Sequence, residues 1–360
     1  MTPPDSVLVD KGDGPAQPGR LSLKCAARSD VGLVREGNED SGLADDTLLI
    51  VADGMGGHAA GEVASASAVG VFGSVAWSSL VPSDIPARIN ACIARISEEL
   101  SQAAFADSER SGLGTTVTAL ILRDQVATIG HVGDSAAFQW RDGQLTKLTH
   151  DHTFVQALID GGTLTPEQAR THPRRSLLTR AVDGVNDATA DVSTHEVRAG
   201  DRLLLATDGL TGVVGFDEIA GYLASGEPGE AAETLIGAAL INGAPDNVTV
   251  IVADVVPQPD DVPALPPTLV GAAAAADPLP VAVPRRRGFR VRGWLIGVVI
   301  LGLLIAGAIG GGWWLTTQPC PDGVQSRPLP VPAGLSLPAQ VADPLRSSAI
   351  GQTLLTCDRR

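Results

Sequence analysis

The chain has 360 residues, room for one large domain or two ordinary ones, and a formal net charge of −15. Five arginines lie between 285 and 292 and the segment after 315 is net +1, so the first 284 residues total −21. A part this acidic repels phosphate backbones, which argues against non-specific binding to nucleic acid and for a solvated surface. Residues 1–21, rich in Pro, Gly and Asp, read as a flexible leader. Strands joined by turns are expected over 21–53, with one turn at Ala44-Asp45-Asp46. Residues 59–77 are Ala-rich with helical spacing. In 84–106, Ile85, Ile89, Ile93, Ile96 and Leu100 recur at steps of three and four, which marks one apolar helix face.

A β section follows. Thr115 to Leu122 and Val126 to Val132 flank a tight turn at Arg123-Asp124-Gln125. Ala136 to Trp140 and Gln144 to Leu148 flank another at Arg141-Asp142-Gly143. Residues 150–180, with His150, His152, His172, Pro166, Pro173, Arg174 and Arg175, read as short helices and loops inserted before the next strand. Arg202 to Thr207 is a strand, 216–225 and 229–242 are helices, and Asn247 to Val256 is the final strand. Strands in runs and helices in separate runs indicate α+β with antiparallel sheets.

Residues 257–292 are rich in Pro and Ala and read as a linker that ends in a basic stretch. Trp294 to Leu315 is an uncharged apolar run of 22 residues. At about 1.5 Å per residue it reaches roughly 33 Å, enough for a hydrocarbon core. A transmembrane helix is therefore expected over 293–315. The arginines at 285, 286, 287, 290 and 292 precede it, which places the N-terminal bulk in the cytoplasm and attracts anionic lipid headgroups. The tail 316–360 would lie outside, where a disulfide between Cys320 and Cys357 is possible. Cys25 and Cys92, on the cytoplasmic side, are expected to be free thiols.

Five acidic motifs stand where strands meet turns: Arg35-Glu36-Gly37-Asn38-Glu39-Asp40, Ala52-Asp53-Gly54, Gly133-Asp134-Ser135, Thr207-Asp208-Gly209 and Asp246-Asn247. A carboxylate at the end of a buried strand is costly unless a positive charge neutralises it. Five such places suggest a shared cation site. Carboxylate oxygens without a His or Cys cluster suit Mg²⁺ or Mn²⁺ and not Zn²⁺.

Taken in order, these motifs together with Met55-Gly56-Gly57 and Asn247-Val248-Thr249 resemble the metal-dependent protein phosphatases, the PPM or type 2C class. The resemblance covers about residues 22–254. With the linker, span and small tail, the chain looks like the membrane-anchored Ser/Thr phosphatases of actinobacteria. It implies an α-β-β-α sandwich of two antiparallel sheets flanked by helices, and it implies a domain over 22–256. It implies a metal site with two Mn²⁺ or Mg²⁺ ions and room for a third. Asp53 would bridge two ions, helped by the Gly54 carbonyl, with Asp208 and Asp246 on the first ion, Glu39 on the second and Asp134 on the third. Asp40 would orient the attacking water, and Arg35 would hold the substrate phosphate, a role that suits a planar guanidinium.

The implied chemistry is direct hydrolysis of phosphoserine and phosphothreonine in proteins, with no nucleophilic Cys or Ser. The implied partners are phosphorylated proteins, including membrane Ser/Thr kinases. One position departs from the pattern. Animal members carry His directly after the Asp-Gly pair, proposed as general acid, and here that position is Met55. His58 is a substitute candidate, so the acid is unassigned. Residues 150–180 correspond to the flap of bacterial members, where Arg174, Arg175 and the histidines are expected to tune substrate access. The competing reading is a catalytically inactive docking or regulatory member of the same fold, but that would need lost ligands.

Overall fold

The computed structural model describes residues 20–56, 60–107, 112–258 and 266–275, and the backbone of two short strands near the C-terminus. In chain order, β1 (Leu21–Asp30), β2 (Asp40–Ala44) and β3 (Leu48–Met55) precede α1 (Ala60–Gly73) and α2 (Ile85–Ala106). Five strands follow: β4 (Gly114–Thr115), β5 (Val117–Arg123), β6 (Val126–Val132), β7 (Ala136–Arg141) and β8 (Gln144–Lys147). Next come α3 (Phe154–Asp160), α4 (Pro166–Arg170), β9 (Asp191–Glu196) and β10 (Arg202–Ala206). Then α5 (Asp208–Thr211), α6 (Phe216–Leu223), α7 (Pro228–Ile241), β11 (Val248–Pro257), β12 (Thr268–Gly271) and α8 (Ala272–Ala275) complete the first compact unit. In the second unit, residues 280–360, β13 (Ser326–Pro328) pairs antiparallel with β14 (Leu355–Cys357).

Two antiparallel sheets form in the first unit. One runs β1-β11-β10-β7-β8 and the other β12-β2-β3-β5-β6-β9, with β4 paired to the end of β3. Their apolar residues sort into three layers. Leu49, Val51, Leu120 and Ile129 from one sheet meet Leu203, Leu205, Ile251 and Ala253 from the other, and fill the space between the sheets. Leu48 and Ile50 point the other way, onto α1 and α2, and Leu204 and Val250 point onto α6 and α7. This explains why Leu203-Leu204-Leu205 is continuously apolar. A strand covered on both faces has no polar side to alternate with. The architecture is the expected helix-sheet-sheet-helix sandwich.

Local signals set the element ends. Ile85, Ile89, Ile93, Ile96 and Leu100 of α2 are all buried, as their spacing predicts. The β5–β6 hairpin turns on Asp124 and Gln125, with φ of 48° and 66°. Two successive positive φ values match the right-handed twist of the flanking strands. α4 starts with Pro166 after a capping box between Thr165 and Gln168, where both orphan donors are satisfied. Residues 150–180 are thus short helices and loops, tied at the neck by the bridge Thr153↔Leu178.

Two features differ from the sequence reading. β9 pairs along β6 at the edge of its sheet and was not expected. Apart from Val192, its residues Asp191 to Glu196 are polar, and none is fully buried, so only the cross-strand partner reveals it. Second, β11 is not the last strand. Part of the expected linker forms β12 on the free edge of β2, and α8 follows it. A four-residue strand carries too little periodicity to be read without its partner. Among the described residues, no helix is long and apolar enough to cross a membrane. The expected span 293–315, its preceding arginines and Cys320 lie outside the described residues.

Candidate metal centre

The five acidic motifs gather at one end of the sandwich. β3, β6 and β10 end there, and β2 and β11 begin there. Asp40 opens β2 and stands directly across from Asp53 near the end of β3. Asp134 follows β6, Asp208 opens α5 after β10, and Asp246 precedes β11. Residues scattered over more than 200 positions are adjacent because antiparallel strands bring alternate ends to the same edge.

Asp40 and Asp134 are buried, and Asp53, Asp208 and Asp246 are half-buried toward the cleft. Burial raises the Asp53 carboxyl well above the carboxylate range, and the charges of Asp40, Asp208, Asp134 and Asp246 raise it further. Asp134 is raised in the same way, by burial and then by Asp208 and Asp151. Asp40 is pushed up to about 7 by burial, against hydrogen bonds from Thr207 and Thr249. Asp208 is pushed up to about 6 by burial and by Asp246, against a hydrogen bond with Asp53. Like charges held together in a dry place oppose ionisation until a cation joins them.

The donor set fits a hard divalent cation. Asp40 Oδ1 and Asp208 Oδ1 are buried without any hydrogen-bond partner. Buried carboxylate oxygens are normally satisfied, so two orphans in one acid cluster mark places for a missing positive charge. All the candidate donors are oxygens, as Mg²⁺ and Mn²⁺ prefer. Among the described residues, no three acid, His or Cys side chains are already closed around one ion position.

Supporting contacts position the acids. Thr207 Oγ1 donates to Asp40 Oδ2 at 2.8 Å and accepts from the Thr249 N–H at 3.0 Å. The Asp53 N–H donates to Thr116 Oγ1 at 2.9 Å. The Gly54 N–H donates to the Glu39 carbonyl at 3.1 Å. A Cβ at Gly54 would stand 2.0 Å from the Gly61 carbonyl oxygen and 2.6 Å from that of Glu39, so only glycine fits there. Glu39 is raised by burial, and its carboxylate accepts a backbone hydrogen bond from Gly61 at the start of α1. Arg35 is exposed at the rim, with Nη2 donating to Asp246 Oδ2 at 2.8 Å and Nη1 3.6 Å from Glu39 Oε2. It therefore links two of the expected ligands.

Asn247 and His152, both named in the sequence, have structural contacts that it did not assign to them. Asn247 is buried, and its side chain ties two loops together. Oδ1 accepts from the Glu39 N–H, and Nδ2 donates to the carbonyls of Val31 and Gly37. The signal was its place beside Asp246. His152 clasps the Asp134 loop. The Gly133 N–H donates to His152 Nδ1 at 3.0 Å, and the His152 N–H donates to the Gly133 carbonyl at 2.7 Å. At the other end of the ring, Nε2 lies 3.0 Å from Asp191 Oδ2 and 2.8 Å from Arg180 Nη1. Cys25 and Cys92 are free, and burial pushes both thiols up to about 11, which leaves them without nucleophilic character at neutral pH. Met55 ends β3, and His58 lies outside the described residues.

A cavity of about 430 Å³ opens from Asp134 and Asp208 between the flap and the α5–α6 segment, and Arg175 lines it. Arg174 does not. Its guanidinium sits over the Phe154 ring, 5.8 Å from the centroid.

The family description "Protein phosphatase 2C" matches residues 38–231. The serine/threonine protein phosphatase PstP of Mycobacterium tuberculosis is 43% identical over 257 residues, 71% of this chain and 49% of that relative. The match thus spans about half the length of the relative. The serine/threonine phosphatase stp of Listeria monocytogenes is 34% identical over 237 residues, which cover 94% of it. A crystal structure of the mycobacterial PstP superimposes with a TM-score of 0.63 at 43% identity, over 66% of this chain and all of that one. A structure of the PstP catalytic domain in complex with two manganese ions superimposes at 0.61 with 42% identity, over 66% of this chain and 99% of that one.

Proposed function

Because the chain belongs to the protein phosphatase 2C family, we propose that it hydrolyses phosphoserine and phosphothreonine in proteins, with Mn²⁺ or Mg²⁺ as cofactor. The observation that carries this reading is the convergence of Asp40, Asp53, Asp134 and Asp208 around two orphaned buried carboxylate oxygens. The manganese-loaded catalytic domain of the mycobacterial relative supports the choice of ion. Bound cations supply an activated water and neutralise charge on the phosphoryl oxygens.

The residues divide that work. Asp53, at a strand end facing the other acids, would bridge two ions. Asp208 and Asp246 would share the first, Glu39 the second, and Asp134 a possible third. Asp40, held on one oxygen by Thr207, has its other oxygen free to orient water. Arg35, paired with Asp246 at the rim, would present its planar fork to the substrate phosphate. Arg175 would meet the acidic cavity's anionic substrate from the flap. No cysteine takes part.

The apolar run 294–315, behind five arginines, supports a single-pass membrane anchor with the catalytic unit in the cytoplasm. In that place the enzyme would oppose membrane Ser/Thr kinases. The test is phosphate release from a phosphothreonine peptide by the full chain in detergent. Release that needs Mn²⁺, stops with chelator and collapses in Asp208→Asn is expected. A folded, Mn²⁺-saturated chain that releases nothing would point instead to a docking role.

A further inference from the structure

The stretch 268–275 lies past β11 and past residue 231, where the family match ends, yet it is built into the sandwich. β12 pairs antiparallel with the edge of β2, Thr268 opposite Ala44 and Gly271 opposite Ser41. It is held on both sides of the sheet. Val270 packs on the core between the sheets, and Ala273 packs on the core beneath α1 and α2. Gly271 takes φ of 68°, and a Cβ there would stand 2.1 Å from the Asp40 carbonyl oxygen. The linker backbone therefore touches the backbone of a candidate metal-site residue.

A chain of hydrogen bonds continues from that contact. The Ala273 N–H donates to Ser41 Oγ at 3.0 Å, and the Ser41 hydroxyl lies 2.9 Å from that of Ser65. Ser65 Oγ donates to the Glu39 carbonyl at 2.5 Å. Both serines are buried, and each hydroxyl has one proton to give. Read from Ala273 inward, the donors run in one direction and end on Glu39. Removing the Ala273 N–H would leave a buried hydroxyl one partner short, a costly state.

We propose that Thr268–Ala275 is a positioning latch: a strand of the linker that docks on the β2 edge and holds Glu39 and Asp40, at the start of β2, in place for the cations. The coupling rests on the metal reading given above, whereas the docking does not. Coupling is reciprocal, so cations that order Glu39 and Asp40 also tighten the latch.

Hydrogen exchange on the full chain in detergent, with and without Mn²⁺, tests this. Amides of 268–273 should be protected without metal, and Mn²⁺ should slow their exchange further, together with β2. Exchange of 268–273 at the rate of a free chain would overturn the proposal. So would slowing confined to β2 and β3. Absence of any slowing in β2 and β3 would instead sink the metal reading, and the coupling with it.

Gly271→Val supplies the second arm, because a branched side chain cannot occupy that φ beside the Asp40 carbonyl. In a folded variant, 268–275 should exchange freely, and calorimetry should find Mn²⁺ bound roughly 5- to 10-fold more weakly, within the usual range of such couplings. Unchanged Mn²⁺ affinity with the strand undocked would refute the latch. If the variant fails to fold, the exchange data on the unaltered chain decide.

Discussion

Asp40 and Asp208 carry the sharpest residue-scale consequence. Both carboxyls are raised, to about 7 and about 6, chiefly by burial. A raised folded value means that the protonated form is favoured on folding. Their contribution to stability is therefore fully present below the unfolded value near 4, and is lost as pH rises through about 6 to 7. Cations bound at the proposed site would reverse this by favouring the ionised carboxylates. The rise in Tm on adding Mn²⁺ should be small at pH 5 and grow through pH 8, and in Asp208→Asn it should shrink at every pH. A pH-independent rise in thermal scans would contradict the assignment. Asn247 makes a different prediction. Asn247→Ala removes three hydrogen bonds at Glu39, Val31 and Gly37. The loss should cost about 2–4 kcal/mol in denaturant unfolding, since buried backbone groups are left unpaired. A cost below about 0.5 kcal/mol would show that the loops hold each other without it.

At the scale of elements, the flap separates two arginines that the sequence treats alike. Arg175 lines the cavity with Asp134 and Asp208, whereas Arg174 covers Phe154. Arg175→Ala should raise KM for a phosphoprotein on the order of tenfold, the loss of one charge-assisted contact. Arg174→Ala should change KM less than about threefold, because an exposed cation–π contact contributes under about 1 kcal/mol. Equal effects in steady-state kinetics would mean that the flap acts through its charge and not through the cavity wall. The flap's anchorage agrees with this division. Its neck is closed by Thr153 and Leu178, and His152 fastens it to the loop of Asp134.

At the scale of the whole molecule, a basic stretch and an apolar run follow an acidic N-terminal part. The proposed anchor predicts that the full chain sediments with membranes and resists extraction by high salt, because an apolar span does not depend on screened charges. Deletion of residues 293–315 should release it into the soluble fraction. Release of the full chain by salt alone would reduce the attachment to the arginines. The latch gives this arrangement a further consequence. If the proposed anchor holds, the chain leading toward it first passes along β2, beside Glu39 and Asp40.

Much of this was legible in the sequence because it is written in local patterns. The stripe from Ile85 to Leu100, the turns at Asp124 and Asp142 and the doubly apolar strand at Leu203 each follow from periodicity and backbone sterics. The acidic residues at strand ends could be picked out for the same reason: a carboxylate beside an apolar run needs a partner. Tertiary structure alone decided what depends on pairing between distant segments. The polar β9 and the four-residue β12 are strands only because β6 and β2 offer open edges. Asn247 is structural only because Val31, Gly37 and Glu39 fold back onto it, and Arg174 and Arg175 differ only in which way the flap turns them. Local propensity reaches a few residues along the chain, whereas a shared edge or a buried hydrogen bond exists only once two remote segments meet.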